Sequence, residues 1–362
     1  MQGTFIQNYL NNPGSKLHYR LLSLLLYPLS MLYGMLVLLR RVLYKIGFFK
    51  SVKLNHPVIS VGNLTTGGSG KTPFEIYLIN LCHKMDLKPL LLSHGYGIGG
   101  EKQGIIKGSK LKQGRGLPDE VEMIARKIPG LNIAYGKDRI AVYDSAQSRM
   151  EFDLVILDDG FQHLKIKRDL DILLLDSPRP FGSARLLPSG NLREPKRLCD
   201  KADLIILNQK GNQKSGSVSE KISSQNPILK AKYDFVEINA LKSGEKLAMP
   251  LGKELRSGII TAIGDPESFL DIVNNLGVEI IRVFQFRDHH VFSRSDLEHI
   301  GNVCADLQID RLFTTEKDAV KLEKICFEKP EIYVIKIAFK LTGGEDLLRQ
   351  KIGGIIENVE RS

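Results

Sequence analysis

The sharpest chemical signal in the sequence is Thr65-Thr66-Gly67-Gly68-Ser69-Gly70-Lys71-Thr72, set shortly after the strand-like Pro57-Val58-Ile59-Ser60-Val61. A bound phosphate needs closely packed backbone N–H donors, which glycines provide because they lack a Cβ and reach positive φ. It also needs a cation for the terminal phosphates and a hydroxyl able to ligate magnesium. Thr65, Gly67, Gly68, Ser69 and Gly70 supply such a loop, Lys71 the cation and Thr72 the metal-side hydroxyl. A helix starting at this point adds the positive end of its dipole. Thr65 stands where the usual GxxxxGK(S/T) pattern has its first glycine. ATP and Mg2+ are the ligands this pattern predicts.

Such a loop needs an acidic partner at the end of a neighbouring buried strand. Phe152-Asp153-Leu154-Val155-Ile156-Leu157 running into Asp158-Asp159 meets that need, with both carboxylates as metal-side candidates. An acid pair in this place can also simply cap the next turn. The string that follows, Gly160-Phe161-Gln162-His163, is far more specific than a turn requires.

The elements that must hold these residues read as short apolar runs alternating with amphipathic stretches, the signature of a parallel sheet covered by helices. Strands are expected near 57–61, 89–93, 131–135, 154–158, 171–175 and 204–207, with helices after Gly70, over 119–127 and over 138–150. A polar stretch at 209–226 reads as a linker or exposed excursion. Further strands near 229–237, 257–263, 279–286, 311–315 and 331–339 predict a second, smaller α/β unit. The expected architecture is a P-loop NTPase-like α/β/α sandwich over 54–226, a smaller α/β domain over 227–362 closing on the site, and a helical segment over 1–53. Leu204 to Lys210 resembles a strand leading to a GTPase base-recognition loop, but lacks its Asp.

That first segment is basic and apolar together. Residues 1–74 contain eight Lys or Arg and no acid, and the rest of the chain is nearly balanced, so the net charge of +10 belongs to the N-terminus. A basic groove for nucleic acid is therefore not expected. Leu21 to Leu39 carries no charge and is bracketed by Arg20 and by Arg40-Arg41; as a helix it is about 28 Å long, the lower limit for a bilayer span. Pro28, Gly34, Ser23 and Ser30 weaken the spanning reading. Tyr19, Tyr27, Tyr33 and Tyr44 with basic flanks suit a helix lying in the interface of an anionic leaflet. A single span and a buried core helix remain the alternatives. The four cysteines show no CxxC pair, which argues against a zinc knuckle and for reduced cytosolic thiols.

The blocks Gly67-Gly68-Ser69-Gly70-Lys71-Thr72-Pro73 and Asp158-Asp159-Gly160-Phe161-Gln162-His163 closely resemble the tetraacyldisaccharide 4′-kinases of the lipid A pathway in Gram-negative bacteria. The resemblance continues through Ser93-His94-Gly95-Tyr96-Gly97, Asp119-Glu120, Leu186-Leu187-Pro188-Ser189-Gly190-Asn191-Leu192-Arg193-Glu194-Pro195, Asp288-His289-His290 and Thr314-Thr315-Glu316-Lys317-Asp318-Ala319-Val320. It implies ATP- and Mg2+-dependent phosphorylation of the 4′-hydroxyl of a membrane-embedded tetraacyl disaccharide 1-phosphate, giving lipid IVA, at the cytoplasmic face of the inner membrane. By position it makes Asp119 the base, paired with His289 across the domains, and Asp158 and Asp159 the magnesium organisers. Arg139, Glu120 and His163 match further active-site residues. The chain departs from the family at Pro118, where Gly is usual, and at His94, where Arg is usual.

A sugar hydroxyl is a poor nucleophile until a carboxylate accepts its proton, and a histidine partner orients that carboxylate. On residue type alone, Asp119 also suits a helix N-cap, His289 and His290 an exposed loop, and Arg139 a surface ion pair. Arg193 is a candidate for a substrate phosphate on a loop shaping the lipid-side mouth. The competing function is a membrane-recruited P-loop ATPase or GTPase switch, which needs no base for a sugar hydroxyl. No obligate protein partner is expected.

Overall fold

The computed structural model describes residues 9–10, 13–94, 103–108, 117–177, 179–209, 222, 226–249, 251, 255–288, 290–325 and 329–360, and for Asp119 and Glu360 the backbone alone. Among them a long helix, α1 (Leu17–Lys45), precedes an alternating strand–helix core. The core runs β1 (Val58–Asn63), α2 (Lys71–His83), β2 (Pro89–Ser93), β3 (Gln103–Ile106), α3 (Asp119–Lys127), β4 (Asn132–Gly136), α4 (Arg139–Gln147), β5 (Leu154–Asp158), β6 (Leu170–Ser177) and β7 (Leu204–Gln209). The chain continues as β8 (Ile228–Ala240), β9 (Ser257–Thr261), α5 (Pro266–Asn275), β10 (Ile280–Gln285), α6 (Arg294–Asp306), β11 (Arg311–Thr315), α7 (Glu316–Leu322), β12 (Glu331–Leu341) and α8 (Glu345–Glu360).

These strands form one mixed sheet in the order β10-β9-β11-β12-β8-β7-β6-β1-β5-β2-β4-β3. Pairing is parallel except between β8 and β12 and between β3 and β4. Continuous apolar runs such as Leu154-Val155-Ile156-Leu157 of β5 suit strands buried on both faces. Ile59, Val61, Ile156 and Ile172 pack on one face beneath Phe74, Leu78 and Leu81 of α2, Val121 and Ile124 of α3, and Leu348 and Ile352 of α8. Val58, Leu90, Leu92 and Val155 pack on the other face under Val142, Tyr143 and Ala146 of α4.

The expected boundary near residue 226 falls in the connection between β7 and β8, most of which lies outside the described residues. Those two strands pair with each other, Ile205 with Ile228 through Gln209 with Lys232, so hydrogen bonding runs unbroken through both halves of the sheet. Strand β3, an edge strand, was not expected from the sequence pattern. It is four residues long, Gln103-Gly104-Ile105-Ile106, too short to show a period.

The sheet places the site through its register. Beside β1 lie β5 and β6, and Val61 pairs with Asp158. The loop leaving β1 and the acid pair ending β5 therefore emerge side by side at the carboxyl edge, where open parallel sheets bind ligands.

The buried-core-helix alternative for the N-terminal segment is not what the structure shows. Helix α1 buries Tyr19, Ser23, Ser30 and Gly34 and exposes most of its leucines. It is long and apolar enough to cross a membrane.

Candidate active site

The loop after β1 turns through Gly67 at φ 118° and Gly70 at φ 76°, both in the region that side chains disfavour. A Cβ at Gly70 would also overlap the Tyr233 hydroxyl, so glycine is required there twice over. Helix α2 begins at the next residue, Lys71, and its unpaired N-terminal N–H groups open toward the loop. The second half of the molecule comes close: a Cβ at Gly264 would lie 2.6 Å from the Gly68 nitrogen. Between the halves is a cleft of about 320 Å³ lined by the Gly67–Pro73 loop, His94, Glu120, Asp158, Asp159, Arg193, Asp288 and Lys317 among others. A larger cavity, about 1120 Å³, opens between α6, α7 and β12 and has none of the phosphate-loop residues in its walls.

Lys71 Nζ lies 3.3 Å from Asp159 Oδ1 and donates to Asn63 Oδ1 at 3.4 Å. Arg193 Nη1 reaches Asp159 Oδ2 at 2.7 Å. Burial alone would raise the Asp159 carboxyl, but Lys71 and Arg193 outweigh it and hold it at about 2. Asp158 differs: it accepts from Ser93 Oγ at 2.7 Å, and burial, then Glu120 and Asp159, push its carboxyl up. Beneath the loop, Glu75 on α2 is fully buried, and burial followed by Asp158, to which it is hydrogen-bonded, pushes it well above the carboxylate range.

The residues present fit a nucleotide phosphate with a magnesium ion. The Ser69 hydroxyl is buried in the loop with no hydrogen-bond partner. Carboxylates gather around Asp158, while the cations Lys71 and Arg193 are drawn to Asp159. Magnesium usually takes one or two carboxylates together with waters and phosphate oxygens, and Asp158 and Asp159 at the end of β5 can supply such carboxylates.

The structure brings together most of the residues singled out in the sequence. Arg139 opens α4 and is buried, its charge acting on Asp158 and on His163. Burial, then Arg139, pushes the His163 imidazole down to about 4, so it is neutral at physiological pH. Burial, then Arg139, also lowers His94. Glu120 lies in the first turn of α3 and meets Lys317 at 3.2 Å. Arg193, expected at a substrate phosphate, has its guanidinium on Asp159 in this structure. Asp119 is the first residue of α3, after Pro118, and its side chain lies outside the described residues. His289 lies outside them too, as do Gly95–Gly97 of the Ser93–Gly97 block.

Reasoning on the sequence missed Asn63, Glu75, Asn208, Tyr233 and Lys317. For Asn63 and Asn208 there was a signal: Asn63 ends β1, and Asn208 is the first polar residue after the apolar run Leu204–Leu207 of β7. For Tyr233, 25 residues beyond its partner Asn208, there was none.

The loop 183–194 connects this site to α1. Thr66 N donates to Asn191 O at 2.7 Å and Arg193 N to Leu64 O at 2.7 Å, so the loop lies along the phosphate loop's entry. On its other side Ser23 and Ser189 share a 2.8 Å hydroxyl contact, Ser30 Oγ donates to Leu186 O at 3.0 Å, and the Tyr33 hydroxyl donates to Arg193 O at 2.8 Å. Arg41 grips Glu194 with Nε at 2.9 Å and Nη2 at 2.7 Å.

A glycine loop between β1 and α2, a lysine at the helix start and an acid pair at the end of the adjacent strand define a P-loop nucleotide-binding protein. The sequence profile of the tetraacyldisaccharide-1-P 4′-kinases matches residues 22–356, and the chain belongs to that family. Tetraacyldisaccharide 4′-kinase of Syntrophus aciditrophicus is 36% identical over 330 residues, 86% of this chain and 87% of that protein. That of Shewanella loihica is 36% identical over 323 residues, 89% and 88% of the two chains. The crystal structure of LpxK from Aquifex aeolicus in complex with ATP superposes with a TM-score of 0.71 at 30% identity, covering 92% of this chain and 99% of that one. The family is membrane-associated, and the switch without kinase activity is not favoured.

Proposed function

We propose that the chain transfers the γ-phosphoryl group of ATP to the 4′-hydroxyl of a tetraacyldisaccharide 1-phosphate, at the cytoplasmic face of the bacterial inner membrane. The observation that carries this reading is the convergence at one sheet edge of the Gly67–Thr72 loop, Lys71 and the Asp158–Asp159 pair, within a chain of the kinase family.

Phosphoryl transfer asks mainly for positioning and for cancellation of charge on the transferring group. Backbone N–H groups of residues 67–72 and the α2 dipole cradle the phosphates, and Lys71 leaves Asp159 or bridges from it to the terminal oxygens. Thr72 and Asp158 would hold magnesium, with Asp159 beside them. When bound, the ion offsets charge on the β- and γ-phosphate oxygens and orients them. Asp119 accepts the proton of the 4′-hydroxyl as that oxygen bonds to the γ-phosphorus and the bond to the β-phosphate oxygen breaks, releasing ADP. His289 orients Asp119. The dyad joins residues from the two proposed domains, 54–226 and 227–362, so closure of the cleft completes it. Glu120 and Arg139 shape the field around the acids, and His163 and Arg193 are substrate-side residues, Arg193 by exchanging Asp159 for a substrate phosphate. Helix α1 attaches the chain to the leaflet that holds the acceptor.

The test is transfer of labelled γ-phosphate from Mg-ATP to tetraacyldisaccharide 1-phosphate in detergent micelles, for the wild type and for Lys71→Ala. Labelled lipid that falls by about 10²-fold or more in the variant supports the reading. Lys71-dependent phosphate release with no labelled lipid overturns the acceptor.

A further inference from the structure

The ammonium of Lys317, at the start of α7, sits 3.2 Å from Glu120 Oε1 and 3.3 Å from Asp288 Oδ1. Glu120 is 197 residues away in the chain and Asp288 is 29. Glu120 directly follows Asp119 on α3, and Asp288 directly precedes His289 in the segment after β10. One cation thus ties together the two chain positions that carry the proposed base and its orienting histidine.

We propose that Lys317 is a positioning residue for the phosphoryl-accepting dyad, its bridge between Glu120 and Asp288 setting the placement of Asp119 against His289. The proposal rests on the dyad reading above. Three observations single this bridge out. The lysine side chain is only 17% exposed, against 33% and 30% for its two partners, so the cation is the inner member of the triad. Burial alone would lower its ammonium, but Glu120 and Asp288 outweigh burial and raise it, so the bridge stays charged through the neutral range. The other contacts between α3 and the α7 region are of a different kind: Lys127–Glu316, Arg126–Glu323 and Lys324–Glu122 pair α3 with α7 or with the two residues after it and do not include the Asp288 segment. These pairs align α3 along α7. Among these contacts Lys317 is the one that reaches the segment carrying Asp288, which it joins to α3 at the cleft. A compact ammonium on a flexible stem suits a bridge to two carboxylates that approach from different directions.

The test compares Lys317→Gln, Asp119→Ala and the double variant in the labelled-phosphate assay, with thermal unfolding run on each. A displacement of about 1 Å in a reacting pair costs about 10²-fold. Lys317→Gln is therefore expected to lower kcat by that order while the KM for ATP changes by less than about twofold. In the Asp119→Ala background the same substitution should cost less than about twofold, because the dyad it positions is already broken. Lys317→Arg, which keeps a cation between the carboxylates, should recover most of the rate. If Lys317→Gln does not fold, Glu120→Gln removes one arm of the bridge and enters the same cycle. An equal loss in both backgrounds overturns the proposal, and so does a raised KM for ATP with kcat intact, which would make Lys317 a nucleotide contact. Wild-type kcat in Asp119→Ala overturns the dyad reading itself, a result distinct from additivity.

Discussion

Helix α1 is rich in leucine and α2 carries both leucine and isoleucine, and they face opposite ways. Helix α2 buries Phe74, Leu78, Ile79, Leu81 and Cys82 against the sheet. Helix α1 turns Tyr19, Ser23, Ser30 and Gly34 to the protein and leaves Leu24, Leu25 and Met35 67%, 77% and 66% exposed. Apolarity thus says that a side chain avoids water, without saying what covers it. For α2 the cover is the sheet. The outward leucines of α1 stay exposed among the described residues, while its hydroxyls are matched with polar atoms of the 183–194 loop. The two systems meet at Asp159, which takes Lys71 from the start of α2 and Arg193 from the loop that α1 holds.

If this contrast is right, leucines of equal size have unequal weight. Leu78→Ala in α2 should destabilise the fold by about 2–5 kcal/mol in denaturant unfolding. Leu25→Ala in α1 should stay within about 0.5 kcal/mol. Comparable losses at the two sites would mean that the outer face of α1 is covered by protein.

The complementary effect belongs to the membrane. Replacing Leu24 and Leu25 together by Glu should weaken binding to phosphatidylethanolamine–phosphatidylglycerol vesicles at least about tenfold, since each leucine placed in lipid is worth about 1.5–3 kcal/mol. The unfolding midpoint should be unchanged. Sedimentation with vesicles reads the first quantity, and wild-type binding by the double variant would remove α1 as the attachment.

The contrast also explains what could be read from the residues. The β1–loop–α2 unit was legible because its strand, glycines and Lys-Thr pair are contiguous, and α3 was legible because its apolar residues recur at helical spacing from Asp119 to Lys127. The segment 17–45 was legible as a helix, but its direction of facing was not, because the small and hydroxyl face becomes an inner face only once Leu186 and Ser189 lie against it. Pairing of β7 with β8 is likewise a long-range choice: alternation and apolar runs find strands, not their neighbours. Lys317 falls in the 314–320 block that carries the family resemblance, yet its own type and position give it no role until α3 and the Asp288 segment converge on it.

The joint at Asp159 makes a pH prediction. Its carboxyl is held at about 2 in the native state, below the value of about 4 expected for the unfolded chain. The unfolded chain therefore binds that proton more readily, and the contribution to stability is complete above about pH 4 and lost as pH falls through the folded value. The difference corresponds to about 2.5 kcal/mol. Asp159→Asn should flatten the acid limb of the stability profile by that amount. An unaltered limb would mean that Lys71 and Arg193 do not hold the carboxylate in solution.

The smallest effect separates the two faces of α1. Ser30 Oγ donates to Leu186 O and accepts from Ser189 N at 2.9 Å in a buried setting. Ser30→Ala leaves both loop groups without that partner, at a cost of about 1–2 kcal/mol, of which the better helix propensity of alanine returns a few tenths. The loss should appear as local opening, because the contacts are confined to one seam. Amide exchange in α1 and over 183–193 should quicken about fivefold while the strands of the core keep their protection. Vesicle binding should be unchanged, since the outer leucines are intact. If vesicle binding falls instead, the hydroxyl face and the leucine face are not separate surfaces, and the contrast between α1 and α2 fails at its root.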